Sequence, residues 1–264
     1  MQIPKIISKL TNLFILSLFL LVTVCEGQII NTIAGTGAGG YNGDGIPAVA
    51  AKLYYPAGVH ADAAGNILIA DMSNACIRRI TTSTGIISTV AGIPGVAPGF
   101  FAGNGMPATA ATFSWYVLGA ITDGAGNIFI ADAGSNIICK VNNATGIINI
   151  FAGINGFAGS TGDGGGAASA RLNYPVAMAF DAAYSKLYIA DCYNHKIRKI
   201  DTGTGIIITV AGTGTAGATG DGGLATSARL NYPAGIAVDA AGNIYIGDGG
   251  NNKVRKITLS TGII

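Results

Sequence analysis

Short apolar segments alternate with polar corners along nearly the whole chain from residue 29 onward. Each segment has four to seven residues, is rich in Ile and Val, and is bounded by Gly, Asn or Asp. Segments of this length and composition favour β-strands over helices. The corner DAAGN, which recurs between two such segments, is typical of a tight hairpin in which Gly65 or Gly242 takes a positive φ without steric cost. The pattern predicts an all-β protein.

The same order of segments occurs four times. The segment IINTIAG at residues 29–35 recurs as IISTVAG, IINIFAG and IIITVAG, which end at Gly92, Gly153 and Gly212. Between successive copies lie a Gly-rich loop, an Ala-rich piece long enough for one helical turn, and three further apolar segments. Four short strands per unit, repeated at about 57 to 61 residues, are typical of a β-propeller. Residues 28–264 are therefore predicted to form a β-propeller of four-stranded antiparallel blades, with four repeats present.

Large and small side chains alternate along the first strand of each unit. Val59, Met178 and Ile236 point to one face of the predicted sheet, whereas Gly58 and Gly235 point to the other. A face of Gly or Ala lets a neighbouring sheet approach closely. Consecutive blades are therefore expected to interlock.

Residues 1–27 have the layout of a secretory signal peptide. Lys5 and Lys9 precede an apolar run at residues 13–24, and small residues follow near Gly27. That run is shorter than the roughly 20 residues needed to cross a bilayer. We expect a secreted or cell-envelope protein whose mature chain has no membrane span, with an uncleaved N-terminal anchor as the alternative.

The amino-acid composition excludes several classes of protein. The chain has 41 Gly, and charged residues make up 11% of it, against roughly 25% in an ordinary soluble domain. High apolar content with low charge argues against disorder, and Gly without a three-residue period excludes collagen. The net charge of +2 gives no electrostatic reason to expect nucleic acid as a partner.

The cysteines and the loop aspartates do not form a recognisable metal site. Cys76, Cys139 and Cys192 remain after the predicted signal, and an odd number spread along the chain is not a disulfide framework, although one bridge is possible. The GDG loops supply oxygen ligands of the kind that calcium prefers, but they lack clustered carboxylates. A Gly-rich turn is the simpler interpretation, and we predict no metal and no cofactor.

The motif AGTGxxGxxGDGGxAxxARLNYPxGIAVDAAGNIYIADxxNNKIRKI, clearest at residues 213–257, resembles the NHL-repeat β-propellers in their long-loop, secreted form. The second unit departs from it at Val117 for Pro, Asn104 for Asp and Cys139 for Arg. The resemblance implies a ring of six blades, whereas four repeats are present.

Two arrangements are compatible with four repeats. In one, the strand-like segment Ile29–Gly35 completes the last unit and closes a four-bladed ring. In the other, the chain is part of a six-bladed ring. Because the sequence stops at Ile263–Ile264, two residues into a strand, we favour the six-bladed ring.

Aspartates recur at the end of the second strand of every unit. Three of them have Asn three residues later, a spacing that suits side-chain capping of a hairpin corner. A residue present in every unit is explained more simply by that unit's own corner than by catalysis. The predicted structural turn aspartates are Asp71, Asp132, Asp191 and Asp248.

Aromatic residues and asparagines mark the entry to every first strand. In a propeller these positions recur around one face, where Tyr, Trp and Asn can form a recognition surface for a peptide or glycan. The alternative is packing between blades with the hydroxyl groups bonded locally. The candidate binding residues are Tyr55, Trp115, Tyr116, Asn173, Tyr174, Asn231 and Tyr232. Of the two histidines, we expect His60 to be a structural residue and His195 to lie in a solvated corner.

These observations favour a secreted, non-catalytic binding scaffold for an unknown extracellular protein, peptide or glycan. The resemblance also implies an alternative: a propeller enzyme of the lactonase or amidating-lyase type with a metal in the central channel. The lactonase type uses Glu, Asn and Asp around calcium, and no Glu remains after residue 27. The lyase type uses several histidines, and His60 does not match that pattern.

Overall fold

The computed structural model describes residues 29–96 and 99–264, so the predicted signal peptide lies outside the described residues. The compact unit considered below is Ile33–Ile264. Its strands are β1 (Ile46–Pro47), β2 (Pro56–Ala61), β3 (Ile67–Asp71), β4 (Cys76–Thr81), β5 (Ile86–Ala91), β6 (Met106–Pro107), β7 (Val117–Thr122), β8 (Ile128–Asp132), β9 (Ile137–Val141), β10 (Ile147–Ala152), β11 (Pro175–Phe180), β12 (Lys186–Asp191), β13 (Lys196–Asp201), β14 (Ile207–Ala211), β15 (Pro233–Val238), β16 (Ile244–Asp248) and β17 (Lys253–Ile257).

The strands form four antiparallel sheets, which we call blades 1 to 4. Blade 1 is β2–β5, blade 2 is β7–β10, blade 3 is β11–β14 and blade 4 is β15–β17. The two-residue strands β1 and β6 extend blades 1 and 2 at their outer edges. The predicted all-β propeller with four repeats is confirmed. Blade 4 has three strands, and Ile263 makes isolated bridges to Thr258 and to Leu224.

Single 3₁₀ turns occupy the Ala-rich pieces that the sequence marks as short helices. They lie at Ala48–Ala50, Ala108–Ala110, Ala167–Ser169 and Ala225–Ser227. Each turn buries its first alanine against a blade. No helix among the residues described is long and apolar enough to cross a membrane.

The core lies between consecutive blades. One buried cluster joins blades 1 and 2, a second joins blades 2 and 3, and a third joins blades 3 and 4. The innermost strands β2, β7, β11 and β15 contact one another in that order. At Gly58 an added Cβ would lie 2.5 Å from the backbone oxygen of Leu118, so close approach of blade 2 requires glycine there.

The segment Ile29–Gly35, predicted as a strand, is not part of any described sheet. Its last residues bind the 3₁₀ turn of blade 1 instead. The Gly35 and Thr36 N–H groups donate to the carbonyls of Ala48 and Ala51, both at 3.0 Å. These bonds fix the end of the segment beside blade 1, and the structure does not show it completing blade 4.

Candidate binding surface

The tyrosine before the first strand has a left-handed backbone in three blades. The φ angles are 49° at Tyr55, 57° at Tyr174 and 48° at Tyr232, and each tyrosine precedes a proline. A bulky residue at positive φ is a genuine outlier, and a following proline disfavours helical backbone further. Strain of this kind costs about 1–3 kcal/mol per residue and is found most often at ligand sites and switches.

Blade 2 avoids this strain because its connection is one residue longer. Ser114 takes the place of Tyr54, and Trp115 and Tyr116 then precede Val117, where blade 1 has Tyr55 alone before its proline. Tyr116 is not among the residues with positive φ. Trp115 and Tyr116 are both about half exposed.

Four tyrosines form a continuous surface across blades 2, 3 and 4, which we call the tyrosine row. Ring centroids are 5.6 Å apart for Tyr116 and Tyr174, 4.6 Å for Tyr174 and Tyr193, and 5.5 Å for Tyr193 and Tyr232. The Tyr174 and Tyr193 rings are stacked, with 10° between their planes. The row continues to His195, whose ring centroid is 4.8 Å from that of Tyr232.

The hydroxyl groups of the tyrosine row are free to bind a ligand. Within residues 29–96 and 99–264, none of these four hydroxyl groups donates or accepts a hydrogen bond, although Tyr245 in the same repeat array donates to Asp239. Burial raises the pKa of Tyr174 to about 12, with smaller contributions from Tyr193 and Tyr116. The Tyr174 hydroxyl therefore stays protonated at neutral pH and can donate as well as accept.

The structure brings together some of the predicted residues and leaves others apart. Tyr116, Tyr174 and Tyr232 join the row, whereas Tyr55 pairs with Tyr54 on blade 1 at 5.3 Å. The Asn231 amide donates to the Gly250 carbonyl at 3.1 Å, which ties this side chain to its own corner. Asn173 lies beside the row and is half-buried.

Tyr193 joins the row without being among the residues selected from the sequence. It lies in the corner after β12, where the other repeats have Ser73, Gly134 and Gly250. The sequence does contain a signal for Tyr193, because one repeat has a tyrosine at a position where the other three have a small residue.

Side chains of the preceding blade hold two of the strained tyrosines. The Tyr174 N–H donates to Oδ1 of Asn136 at 2.9 Å, and the Tyr232 N–H donates to Nδ1 of His195 at 3.1 Å. His195 is therefore half-buried between blades 3 and 4 and is not a solvated corner residue as expected. Burial lowers its pKa, against a smaller raising effect from Asp248.

The four corner aspartates are fully buried and hold the entry to each first strand. Asp191 accepts from the Asn173 N–H at 2.7 Å and from the Asn194 side chain at 2.7 Å. Asp71 and Asp248 make the same two contacts in blades 1 and 4. Asp132 binds two serines in place of an asparagine. These carboxylates hold the strand entries from which the aromatic rings project.

A pocket of about 560 Å³ lies where the first strands of all four blades converge. Met178, Phe180 and Ile236 contribute apolar lining, and His60 bonds across blades to the Thr122 hydroxyl at 3.1 Å. The lining carboxylate of Asp62 accepts from the Ala64 and Asn66 N–H groups of its own turn. Among the residues described, no group of three or more His, Cys, Asp or Glu could hold a metal ion.

Comparison with known proteins identifies the repeat. The family model of the Teneurin NHL domain matches residues 214–264. NHL repeat-containing protein 2 of Bos taurus is 33% identical over 140 residues, which are 51% of this chain and 19% of that protein. The chain is an NHL-repeat β-propeller. Protein SUPPRESSOR OF QUENCHING 1, chloroplastic, of Arabidopsis thaliana is 35% identical over 140 residues, 51% of this chain and 13% of that protein.

Solved structures share the fold of this NHL propeller. An auxiliary nutrient binding protein from Bacteroides thetaiotaomicron superposes with a TM-score of 0.58 at 22% identity, over 78% of this chain and 48% of the other. The corresponding protein from Bacteroides ovatus gives 0.56 at 22% identity, over 79% and 49%. At this identity the likeness concerns the fold alone. The chain spans about half of these structures and a fifth or less of the two curated relatives.

The Asp of the GDG loop and the Arg of the third strand form an ion pair in three blades of the propeller. Each arginine is almost fully buried between a loop carboxylate and a corner carboxylate. The N···O distances are 3.0 and 3.7 Å for Arg78 with Asp44 and Asp71, 2.7 and 3.4 Å for Arg198 with Asp163 and Asp191, and 2.6 and 3.6 Å for Arg255 with Asp221 and Asp248. Burial raises the pKa of Asp191 to about 6, although Asn194 and Arg198 act to lower it.

Blade 2 has lost both members of this pair. Asn104 and Cys139 stand at the loop and strand positions. Ser114 and Ser135 instead donate their hydroxyl groups to the buried Asp132. The sequence interpretation of GDG as a turn missed the ion pair, and the joint departure of Asn104 and Cys139 from the motif is the signal that could have revealed it.

Proposed function

We propose that this propeller is a secreted, non-catalytic binding scaffold that engages an extracellular protein, peptide or glycan with its tyrosine row. One observation carries the proposal: four adjacent tyrosines cross three blades, and their hydroxyl groups have no partner among the described residues. Packing between blades alone would not require three of these rings, at Tyr116, Tyr193 and Tyr232, to be about half exposed.

The chemistry of the row suits a flat or extended ligand. Tyr offers a rigid apolar face together with a polar hydroxyl, and aromatic residues are enriched where proteins bind other molecules. Two of the four rings project from a left-handed backbone, at Tyr174 and Tyr232. Folding places these rings at a cost in free energy, which supports a role that is separate from stability.

The charged side chains support binding over catalysis. Arg78, Arg198 and Arg255 are paired inside the corners. The carboxylates of Asp62, Asp123 and Asp239 accept hydrogen bonds from their own hairpin turns. Most of the chain's acids and bases are thus engaged in holding individual blades together.

Arrays of glycans and of peptides, probed with the purified mature chain, test the proposal. We expect saturable binding to at least one ligand class, at least tenfold weaker in a Tyr193→Ala variant. Tyr184→Ala is the matched control, because Tyr184 is an exposed tyrosine at the hairpin between β11 and β12. Equal loss in both variants, or binding that neither variant changes, would contradict the proposal.

The metal-dependent enzyme is tested on the same preparation. A bound metal ion found together with turnover of a lactone or an amidated peptide would replace the scaffold proposal. Export is tested separately by sequencing the N-terminus of protein recovered outside the cell, which should begin near residue 28. Recovery only from inside the cell with residue 1 intact would contradict secretion.

A further inference from the structure

We propose that a groove between blades 1 and 2 binds a small zwitterion of the free amino-acid type, whose carboxylate meets Arg79 and whose ammonium group meets Asp62 and Asp123. The groove has a volume of about 350 Å³, which is within the range of small-molecule sites. It lies between the hairpin turns that join β2 to β3 and β7 to β8. None of the four tyrosines of the tyrosine row lines it, so this proposal does not depend on the proposed function.

The groove is open because it lacks the aromatic rings that fill the corresponding space between blades 2 and 3. In that space Phe129 packs edge-on against Phe180, with ring centroids 5.1 Å apart, and Phe180 lies 5.6 Å from Tyr184. The same positions of the repeat carry smaller residues along the groove, namely Leu68, Thr122 and Gly126. The space therefore results from the side chains of blades 1 and 2 and not from the repeated backbone.

Arg79 lines this groove and has no partner of its own. It is half-buried, and its Nε atom has no hydrogen-bond partner in the part of the chain that the structure describes. Its guanidinium also forms no ion pair with those residues, whereas that of the adjacent Arg78 lies 3.0 Å from Asp44. A buried N–H group without an acceptor is costly, and a guanidinium suits the two oxygens of a carboxylate. Arg79 is therefore placed to bind a ligand carboxylate.

The equivalent cations of two other blades are engaged with aromatic rings. The distance from the ammonium nitrogen to the ring centroid opposite it is 5.2 Å for Lys140 with Phe129 and 5.6 Å for Lys256 with Tyr245. In blade 1 the residue opposite Arg79 is Leu68, which offers no aromatic face for a cation. The absence of this ring leaves the arginine available to a ligand in the groove.

Asp62 and Asp123 line the same groove, and each caps its own hairpin turn. Asp62 accepts from the N–H groups of Ala64 and Asn66 and from the Asn66 side chain at 2.8–3.0 Å. Asp123 accepts the equivalent three bonds in blade 2. A carboxylate has about four acceptor positions, so each keeps one for a ligand. Burial acts to raise the pKa of Asp62, but hydrogen bonds from Asn66 and Ala64 and the charge of Arg79 hold it below its ordinary value.

This pattern of charges selects a zwitterion. Among the described residues that line the groove, the charged side chains are one guanidinium and two carboxylates. A ligand with a carboxylate alone would bring a third negative charge close to Asp62 and Asp123, and a ligand with an amine alone would leave Arg79 without an acceptor. A ligand with both groups satisfies all three side chains. Leu68 and Ile128 supply an apolar lining for an aliphatic side chain.

Isothermal titration calorimetry of the folded chain with each standard amino acid tests the proposal. We expect saturable binding of at least one of them, weakened about tenfold or more in Arg79→Met because a charge-assisted contact is lost. Arg79 has no partner to lose, so thermal unfolding of this variant should match the wild type. Lys199→Met is the matched control, because Lys199 holds the same strand position in blade 3, and it should bind like the wild type. No binding to the wild type at millimolar concentration, or an equal loss in both variants, would overturn the proposal.

A second pair of variants tests the partner of the ammonium group. Asp123→Asn keeps an oxygen for the bonds of its turn but removes the charge, so we expect binding about tenfold weaker. Asp239→Asn is the control, because Asp239 caps the same turn in blade 4 and does not line the groove. Equal affinities of these two variants would contradict the assigned role of Asp123.

Derivatives of the amino acid that binds test the need for both charges. Its N-acetyl form lacks the ammonium group and its methyl ester lacks the carboxylate, so each should bind about tenfold more weakly or worse. A derivative that binds as tightly as the parent amino acid would show that the groove does not recognise a zwitterion.

Discussion

Three tyrosines that precede first strands have a left-handed backbone, and two of them belong to the tyrosine row. At Tyr55, Tyr174 and Tyr232 a large side chain occupies a conformation that glycine adopts freely. For Tyr174 and Tyr232 the preceding blade supplies a hydrogen bond to the strained N–H group. These bonds help to keep the rings directed outward, so the strain and the row have a common structural origin.

Replacing Tyr55 by glycine should stabilise the protein. The change relieves roughly 1–2 kcal/mol of left-handed strain and loses about 0.5–1 kcal/mol to the freedom of glycine in the unfolded chain. We expect a net gain of about 0.5–1 kcal/mol in the free energy of unfolding, measured by urea denaturation. Tyr116→Gly, at a position without positive φ, should destabilise the protein. A loss of stability in Tyr55→Gly would refute the account of strain.

The contact between His195 and Tyr232 should depend on pH. Because Nδ1 accepts a hydrogen bond, protonation of the ring removes the contact, and burial lowers the pKa of His195. A histidine with a lowered pKa binds fewer protons when folded, so its contribution to stability is complete above about pH 6.5 and is lost as the pH falls through the lowered value.

His195→Asn is the matched variant for this prediction, because Asn136 is the equivalent residue in blade 2 and does not titrate. Chemical denaturation between pH 7 and pH 5 should show the wild type losing stability relative to this variant. Other groups, including Asp191, titrate equally in both proteins and cancel in the difference. Parallel pH profiles would show that the contact is not maintained in solution.

At the scale of elements, an arginine paired with two aspartates stabilises the corner of each blade that has all three residues. Arg198 lies between Asp163, which tethers the GDG loop, and Asp191, which tethers the entry to the first strand. Thr209 of β14 also donates to Asp163 at 2.7 Å, so these contacts extend to the outermost strand of blade 3. Blade 2 uses serines instead, which donate to Asp132, and its loop is tethered by the Ile150 N–H, which donates to Oδ1 of Asn104 at 2.7 Å.

Asp163→Asn should destabilise blade 3 by about 1 kcal/mol, a modest value because the carboxylate is partly exposed and Arg198 keeps Asp191 as a partner. Thermal or urea denaturation measures this change. Asn104→Asp is the matched reverse change in blade 2, where Cys139 replaces the arginine, and it should bring no gain. A similar effect of both changes would mean that the loop aspartate acts as a turn residue only.

The elements were predictable because their signals are local. Gly, Asn and Asp at the corners and Ile and Val between them determine each hairpin, and the structure has strands at those segments except the first, Ile29–Gly35. The row was only partly predictable, because its ring contacts join residues of different repeats: Tyr116 and Tyr174 lie 58 positions apart. The Arg198–Asp163 pair was missed for the same reason, since loop and strand are distant in sequence.

At the scale of the whole molecule, repetition determines how consecutive blades pack. Every repeat carries the same pattern of large and small faces, and one buried cluster lies between each pair of consecutive blades. The tyrosine row, in contrast, depends on particular residues in three blades and is specific to one part of the array.

The emission of Trp115 tests the central claim, that ligands bind at the tyrosine row, most directly. It is the single tryptophan of the chain, half exposed, and adjacent in sequence to Tyr116 at one end of the row. Titration with a ligand found in the arrays should shift this emission saturably to shorter wavelength, and Tyr193→Ala should move the titration to at least tenfold higher ligand concentration. Saturable binding that leaves the Trp115 emission unchanged and is unaffected by Tyr193→Ala would contradict the account and direct attention to the central pocket.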